Sequence, residues 1–240
     1  MKKIGNVIAL LLCIVLAVPM IQNEKISAAE SVKVTIKKEA VTYRDADGTL
    51  RGVVSFQYPV ISGSSSAVKS VNAKLKKQAE NFVKSSQASN IKEYVEAAIE
   101  NNGFYDEKEY YYYKTTCKVT YNRKNVVSFH YTERWYAGGV YNRSDYGHTY
   151  NTKSWKELSA VNVIPGNAAA VKQTVVKYGT AKLKKQSSDF YNAGTAALKK
   201  VPVGKYKFYL TAGKAVVCFG SYELDCGTSW YLISVPGVYK

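Results

Sequence analysis

Residues 110–155 form the stretch of sequence that most restricts the fold. From Tyr111 to Tyr121 alternate residues are mostly aromatic or apolar, and the residues between them are largely polar. The polar segment 122–125 interrupts this pattern, which then resumes. In the second run the apolar residues are Val127, Phe129 and Tyr131, and the opposite set is Ser128, His130, Thr132 and Arg134. Two amphipathic strands joined by a short turn predict a β-hairpin, which we expect to be the central sheet of the domain, with its polar face toward solvent.

Patterns on either side of the hairpin predict helices and further strands. Period-two alternation and β-rich runs predict strands at residues 32–36, 53–58, 146–152, 206–210, 215–219 and 230–235. Helical spacing behind capping residues predicts helices that begin at Ser64–Ser66, Asn90, Asn167 and near Phe190. Because strands and helices are grouped rather than alternating, we expect an α+β fold, a largely antiparallel sheet with helices packed on it. We expect two small lobes, residues 30–105 and 106–240.

The first 29 residues have the pattern of a secretion signal. Lys2 and Lys3 precede an apolar run, Val7–Ile21, and the small residues Ser27–Ala29 follow at the position that a signal peptidase requires. The run is shorter than the roughly 20 residues of a membrane span, and an uncleaved anchor is the alternative interpretation. We therefore expect residues 1–29 to be a signal peptide. The protein would be secreted and associated with the cell wall, or anchored to the membrane if the signal is retained.

The expected mature chain is strongly basic. Without residues 1–29 it keeps 31 basic and 17 acidic side chains, a net charge of +14. Such an excess favours anionic partners by long-range attraction. For an exported protein these are anionic cell-wall polymers, acidic glycans or proteins, and acidic lipid headgroups at a membrane surface. Nucleic acid is not expected, because the sequence has no nucleic-acid-binding motif and the compartment is wrong. A solubilising surface charge without a specific partner is the alternative.

Three cysteines remain in the expected mature chain, and an odd number leaves one thiol unpaired in an oxidising compartment. Cys218 and Cys226 flank a segment that contains Gly220, so we predict a disulfide between them. Cys117 falls on the apolar face of the first hairpin strand and is expected to be a buried free thiol.

The end of the hairpin near Gly138 and Gly139 is the predicted binding edge. Exposed aromatic side chains beside arginines can stack on sugars or anchor a protein partner. The candidate residues are Arg134, Trp135, Tyr136, Gly138, Gly139, Tyr141 and Arg143. Tyr110 and Tyr112, on the polar face of the first strand, share this character. The alternative is that these tyrosines only cover a half-buried sheet.

No catalytic or metal-binding constellation can be recognised in the sequence. His130 and His148 are 18 residues apart without an acidic cluster, and zinc sites normally use three or four ligands. We expect no metal and no cofactor. Glu133, Asp145 and Glu157 are carboxylates of the kind that glycoside hydrolysis needs, but nothing near them indicates a raised pKa. A cell-wall-active hydrolase using Glu133 or Asp145 is the alternative to a non-catalytic domain.

Several short segments occur in a characteristic order along the chain. They are Tyr58–Gly63 before a helix with Asn72, Val127–Tyr131 before Gly138–Gly139, Phe208–Leu210 followed by Gly213 and Val217–Phe219, and Tyr222–Leu224. This order resembles the extracytoplasmic domain of RsiV-type anti-sigma factors, a domain type that also precedes the catalytic domain of PdaC-type peptidoglycan deacetylases. The resemblance implies a two-part α+β domain outside the bacterial membrane that binds a ligand, in some members lysozyme.

Other features of these families are not expected here. Only six residues precede the apolar run, whereas an anti-sigma factor needs a cytosolic segment, and no deacetylase domain follows residue 240. Lysozyme of the common type is itself strongly basic, so a charge of +14 disfavours it as a partner. We expect a secreted or cell-surface, non-catalytic binding or sensing domain of the bacterial cell envelope. A secreted protein inhibitor is a further alternative.

Overall fold

The computed structural model describes residues 31–106, 108–139, 141–186 and 188–239. The predicted signal peptide, residues 1–29, lies outside these ranges. No helix within them combines the length and the apolar character that crossing a membrane requires.

The chain alternates between groups of strands and groups of helices. The strands are β1 (Val34–Arg44), β2 (Leu50–Ile61), β3 (Tyr111–Arg123), β4 (Val126–Tyr136), β5 (Asn142–Asn151), β6 (Lys207–Thr211), β7 (Lys214–Phe219) and β8 (Tyr231–Pro236). The α-helices are α1 (Ser66–Val83), α2 (Ser86–Glu100), α3 (Ala160–Val163), α4 (Ala168–Leu183) and α5 (Ser188–Lys200).

Two separate sheets form the centre of the fold. β1 to β5 make one five-stranded sheet in sequence order, and β6 to β8 make a three-stranded antiparallel sheet. In the larger sheet all neighbours are antiparallel except β2 and β3, which are joined by α1 and α2, because a parallel pair needs a long connection. The predicted α+β class with a largely antiparallel sheet is confirmed. The larger sheet takes strands from both predicted lobes, since the boundary at residues 105/106 falls between β2 and β3.

The predicted central hairpin is confirmed as β3 and β4. Lys124 and Asn125 connect them with φ angles of 51° and 57°, a conformation that suits the right-handed twist of a two-residue hairpin. The predicted core residues Val127, Phe129 and Tyr131 are completely buried.

Each sheet has one face covered by helices and the other face in contact with the second sheet. α1 packs through Val71 and Leu75 against Phe56 and Phe129, and α2 packs on the same face through Ile91. α4 and α5 cover the outer face of the three-stranded sheet. The apolar cluster at this second layer includes Val171, Val175, Leu183, Leu198, Val217 and Ile233. The order of layers is therefore helices, large sheet, small sheet, helices.

Capping side chains determine where the helices begin. Ser65 caps α1 and Asn167 caps α4, both as predicted, by accepting a hydrogen bond from the backbone N–H three residues on. The predicted start of the second helix at Asn90 is wrong. Ser85 accepts a hydrogen bond from the N–H of Ala88 and so begins α2 one turn earlier.

The polar face of the hairpin is not free in solvent as predicted, because the three-stranded sheet covers part of it. Ser128 is completely buried, and its Oγ accepts a hydrogen bond from the backbone nitrogen of Leu210 at 2.9 Å. The same Oγ lies 2.8 Å from Oγ1 of Thr149. The ring of His130 stacks on Tyr209, with ring centroids 3.9 Å apart. Small and hydrogen-bonded side chains thus allow a polar sheet face to be buried.

Gly147 on β5 permits a close approach between the two sheets. A Cβ atom at this position would lie 2.2 Å from the carbonyl oxygen of Phe208 and 2.8 Å from that of Phe129. Both obstacles are backbone atoms, so they cannot move away as a flexible side chain would. The backbone of β6 can therefore lie this close to β5 only because residue 147 has no side chain.

Replacing Gly147 with alanine is expected to lower the free energy of unfolding by about 3 kcal/mol, because the backbone of β6 must shift. Urea unfolding followed by circular dichroism measures the change. Gly139→Ala is the matched control, since no atom lies within 4 Å of its added Cβ and its change should stay within about 0.5 kcal/mol. Equal losses in the two variants would contradict the role assigned to Gly147.

Candidate binding surface on the five-stranded sheet

The N-terminal end of β3 and the C-terminal end of β4 carry partly exposed aromatic and cationic side chains. On β3, Nζ of Lys114 lies 4.1 Å from the ring centroid of Tyr112 and 4.7 Å from that of Tyr110. It also donates a hydrogen bond of 2.9 Å to Oη of Tyr110. On β4, Tyr136 lies opposite Tyr112, with ring centroids 5.7 Å apart, and Arg134 lies opposite Lys114. We call these five residues the tyrosine–lysine surface.

Two aromatic side chains from distant parts of the sequence lie next to this surface. Tyr141 precedes β5, and its ring meets that of Trp230 edge to face, with centroids 6.1 Å apart. The guanidinium carbon of Arg143 lies 4.9 Å from the same indole ring. Trp230 remains 38% exposed. The aromatic character of the surface therefore continues toward the connection between β7 and β8.

The predicted binding residues are divided between the two faces of the sheet. Trp135 lies on the helical side, where its ring meets that of Tyr94 on α2. Gly138 has a φ of 76° and is close to Oη of Tyr111, so it serves the turn after β4. Gly139 is exposed. Arg134, Tyr136, Tyr141 and Arg143 lie on or beside the tyrosine–lysine surface.

Lys114 and Trp230 were not among the predicted binding residues. The alternating pattern places Lys114 on the same face as Tyr110 and Tyr112, which is the signal that identifies it. Trp230 carries no such signal, because only the tertiary structure brings it beside Tyr141.

Arg143 is engaged in a buried network around Asp145. The Asp145 side chain is fully buried, with Oδ2 2.7 Å from Nε of Arg143 and Oδ1 2.7 Å from Nε2 of His130. Thr132 donates a further hydrogen bond to Oδ1 at 2.9 Å. Burial alone would raise the pKa of Asp145, but the hydrogen bonds from His130, Arg143 and Thr132 outweigh it and lower the pKa to about 2. The charge of Arg143 is therefore compensated, and Asp145 stays ionised.

Glu133 lies on the opposite face of the sheet from Asp145. It lines an open cleft of about 460 Å³ between α1 and the strands β4 and β5. Burial raises the pKa of Glu133, although Tyr113 and Lys207 act in the opposite direction. The other lining residues are Phe56, Gln78, Asn81, Phe82, Ser144, Tyr146 and Lys207, none of which is a carboxylate. Glu133 and Asp145 thus cannot flank one glycosidic bond, which is the arrangement that glycoside hydrolysis uses.

The two histidines also point to opposite faces and have separate carboxylate partners. His130 contacts Asp145 between the sheets, while Nδ1 of His148 contacts Glu157 near α1. Glu157 is also paired with Lys74. In the described ranges, no three histidine, cysteine or acidic side chains are grouped in a way that could hold a metal ion.

The predicted disulfide between Cys218 and Cys226 is not formed, because the two thiols lie on different sides of the three-stranded sheet. Cys218 faces the large sheet beside Tyr209 and Val216. Cys226 packs with the helical layer, where its Sγ lies 3.3 Å from the carbonyl oxygen of Phe190. Both are free and buried, as is Cys117. Proximity along the chain therefore does not bring the two sulfur atoms together.

The three thiols are expected to be unreactive in the folded protein. Burial raises the pKa of Cys117 to about 12 and that of Cys218 well above its usual value, which disfavours the reactive thiolate. Iodoacetamide at about pH 8 should therefore modify none of the three in the native state. After unfolding without reductant it should modify all three, as measured by peptide mass spectrometry. A peptide pair linked through Cys218 and Cys226 would contradict this.

The free energy of unfolding is expected to fall at low pH as Asp145 becomes protonated. Its pKa is about 2 in the folded protein and near 4 in an unfolded chain. The ionised carboxylate therefore stabilises the fold by about 2 kcal/mol above about pH 4, and this is lost as the pH falls toward 2. Asp145→Asn should be less stable near neutral pH, because it leaves Arg143 without a compensating charge, and its stability should fall less steeply on acidification. Urea unfolding at several pH values measures both, and parallel curves for variant and wild type would contradict the assignment.

Comparisons with known proteins agree with this architecture. Residues 49–141, from just before β2 to just before β5, match the family model described as Deacetylase PdaC. The crystal structure of a DUF3298 family member from Bacteroides fragilis NCTC 9343 is similar, with a TM-score of 0.55, 15% identity, and coverage of 86% of this chain and 91% of that one. The crystal structure of a DUF3298 family protein from Pseudomonas aeruginosa PAO1 is also similar, with a TM-score of 0.50 and 12% identity. That match covers 86% of this chain and 90% of the other. No curated protein matches the sequence. Residues 49–141 are thus similar to the PdaC family model, and the chain has the fold of these DUF3298 proteins.

Proposed function

We propose that this protein is a secreted, non-catalytic binding or sensing domain of the bacterial cell envelope. Its ligand is an anionic wall polymer, an acidic glycan or an acidic protein, and it binds at the tyrosine–lysine surface. The observation that carries the proposal is the position of Lys114, held against the rings of Tyr110 and Tyr112 on a partly exposed sheet face. Rings of this kind stack on sugars, and the ammonium group attracts phosphate or carboxylate.

The match to the PdaC family model supports an envelope role. The matched range also includes all five residues of the tyrosine–lysine surface. The secretion pattern of residues 1–29 and the net positive charge support the same compartment and the same class of ligand. Sensing of lysozyme, which the RsiV resemblance implies for some relatives, has less support, because a basic partner would be repelled at long range.

A hydrolase has less support than a binding domain. The carboxylate pair that it would need, Glu133 and Asp145, is separated by the sheet, and Asp145 is held ionised by Arg143 and His130. An inhibitor of an acidic protein would use the same surface, since tyrosine and arginine side chains also anchor protein partners.

Substitutions in the tyrosine–lysine surface are expected to weaken binding to isolated cell walls. Tyr112→Ala and Lys114→Ala should each raise the dissociation constant about tenfold, because each removes a ring or a charge from the contact. Sedimentation of the protein with walls, before and after removal of anionic polymers, measures the effect. Binding should weaken as salt rises, since charge contributes to it.

Lys118→Ala is the matched control, because Lys118 is exposed on the same face of β3 but lies outside the tyrosine–lysine surface. Its dissociation constant should change by less than about twofold. Full binding by both Tyr112→Ala and Lys114→Ala would rule out this surface. Release of wall fragments that stops in Glu133→Gln would support a hydrolase instead.

A further inference from the structure

The positive charge of the protein is concentrated on the helices that cover the three-stranded sheet. Residues 172 to 205 include most of α4, all of α5 and the segment that leads to β6. This range has eight lysines and one acidic residue, Asp189. The opposite helical layer, residues 66 to 100, has six lysines and four glutamates. The two outer layers of the fold therefore differ strongly in their balance of charge.

The two layers also differ in how their lysines are paired. In the layer of α1 and α2, Lys74, Lys76 and Lys92 form ion pairs with Glu157, Glu80 and Glu96. Among the described residues, none of the eight lysines from 172 to 205 lies in an ion pair. These like charges repel one another, and an approaching anionic surface would relieve that repulsion.

Exposed aromatic side chains lie among these lysines at one end of the layer. Tyr178 is 41% exposed and precedes Lys182 by four residues on α4, so the two are neighbours on one helix face. Lys184 and Lys185 follow in the connection to α5, and the first turn of α5 carries Phe190, which is 45% exposed. Lysines surrounding exposed aromatic rings are typical of surfaces that enter a lipid headgroup layer.

We infer that this lysine–aromatic face, comprising Tyr178, Lys182, Lys184, Lys185 and Phe190, docks on the surface of an acidic phospholipid membrane. The ammonium groups contact headgroup phosphates, and the rings of Tyr178 and Phe190 enter the interfacial region. This face is formed by α4 and α5, whereas the tyrosine–lysine surface belongs to β3 and β4. Membrane docking and ligand binding therefore use different residues.

Cosedimentation with vesicles tests this inference. The protein without the expected signal peptide, residues 30–240, should bind phosphatidylcholine vesicles that contain about one quarter phosphatidylglycerol, and it should not bind vesicles of phosphatidylcholine alone. A triple variant, Lys182→Glu with Lys184→Glu and Lys185→Glu, should lose about 100-fold or more in affinity for the acidic vesicles. Circular dichroism and urea unfolding check that the variant is folded.

Two further variants distinguish a membrane from a soluble anionic polymer as the occupant of this face. Lys69→Glu with Lys77→Glu and Lys84→Glu makes the same change in net charge on exposed lysines of the opposite layer, and its affinity should stay within about threefold of wild type. Phe190→Ser should weaken vesicle binding about tenfold and leave binding to soluble polyphosphate unchanged. Equal losses in the two triple variants, or equal binding to neutral vesicles, would overturn the inference. An unchanged affinity of Phe190→Ser for vesicles would indicate an anionic polymer as the occupant instead.

Discussion

The contact between the two sheets is the interaction on which the rest of the structure depends. It brings the backbone of β6 against Gly147 on β5, and it buries the part of the large sheet that carries Ser128 and Asp145. A buried polar face is costly unless each polar group finds a partner. Here Ser128 bonds Leu210 and Thr149, and Asp145 is surrounded by Arg143, His130 and Thr132. This contact holds the three-stranded sheet, with α4 and α5 on its outer face, against the large sheet.

The extent of that contact also determines which part of the large sheet stays accessible. The three-stranded sheet covers the middle of β4 and β5 and leaves the tyrosine-bearing ends of β3 and β4 accessible. A side chain such as Tyr112 is therefore only partly buried, while Tyr131, on the helical side, is completely buried. The same residue type can thus lie at the surface or in the core, and its place in the layers of the fold decides which.

Local patterns in the sequence were sufficient for the strands, the helix caps at Ser65 and Asn167, and the α+β class. These depend on side-chain alternation and on hydrogen bonds within one helical turn. The covering of Ser128, the separation of Cys218 from Cys226 and the contact of Trp230 with Tyr141 could not be predicted. Each depends on how distant elements pack, and no local pattern encodes that packing.

The single parallel pairing in the large sheet has a consequence for the order of assembly. β1 with β2, and β3 with β4 and β5, are joined by short turns and can pair through local encounters. β2 and β3 pair residues about 60 positions apart, such as Gly52 with Tyr111, so closing this loop carries a larger entropy penalty. The two hairpin units can thus form independently, and the sheet becomes continuous only when α1 and α2 bridge them.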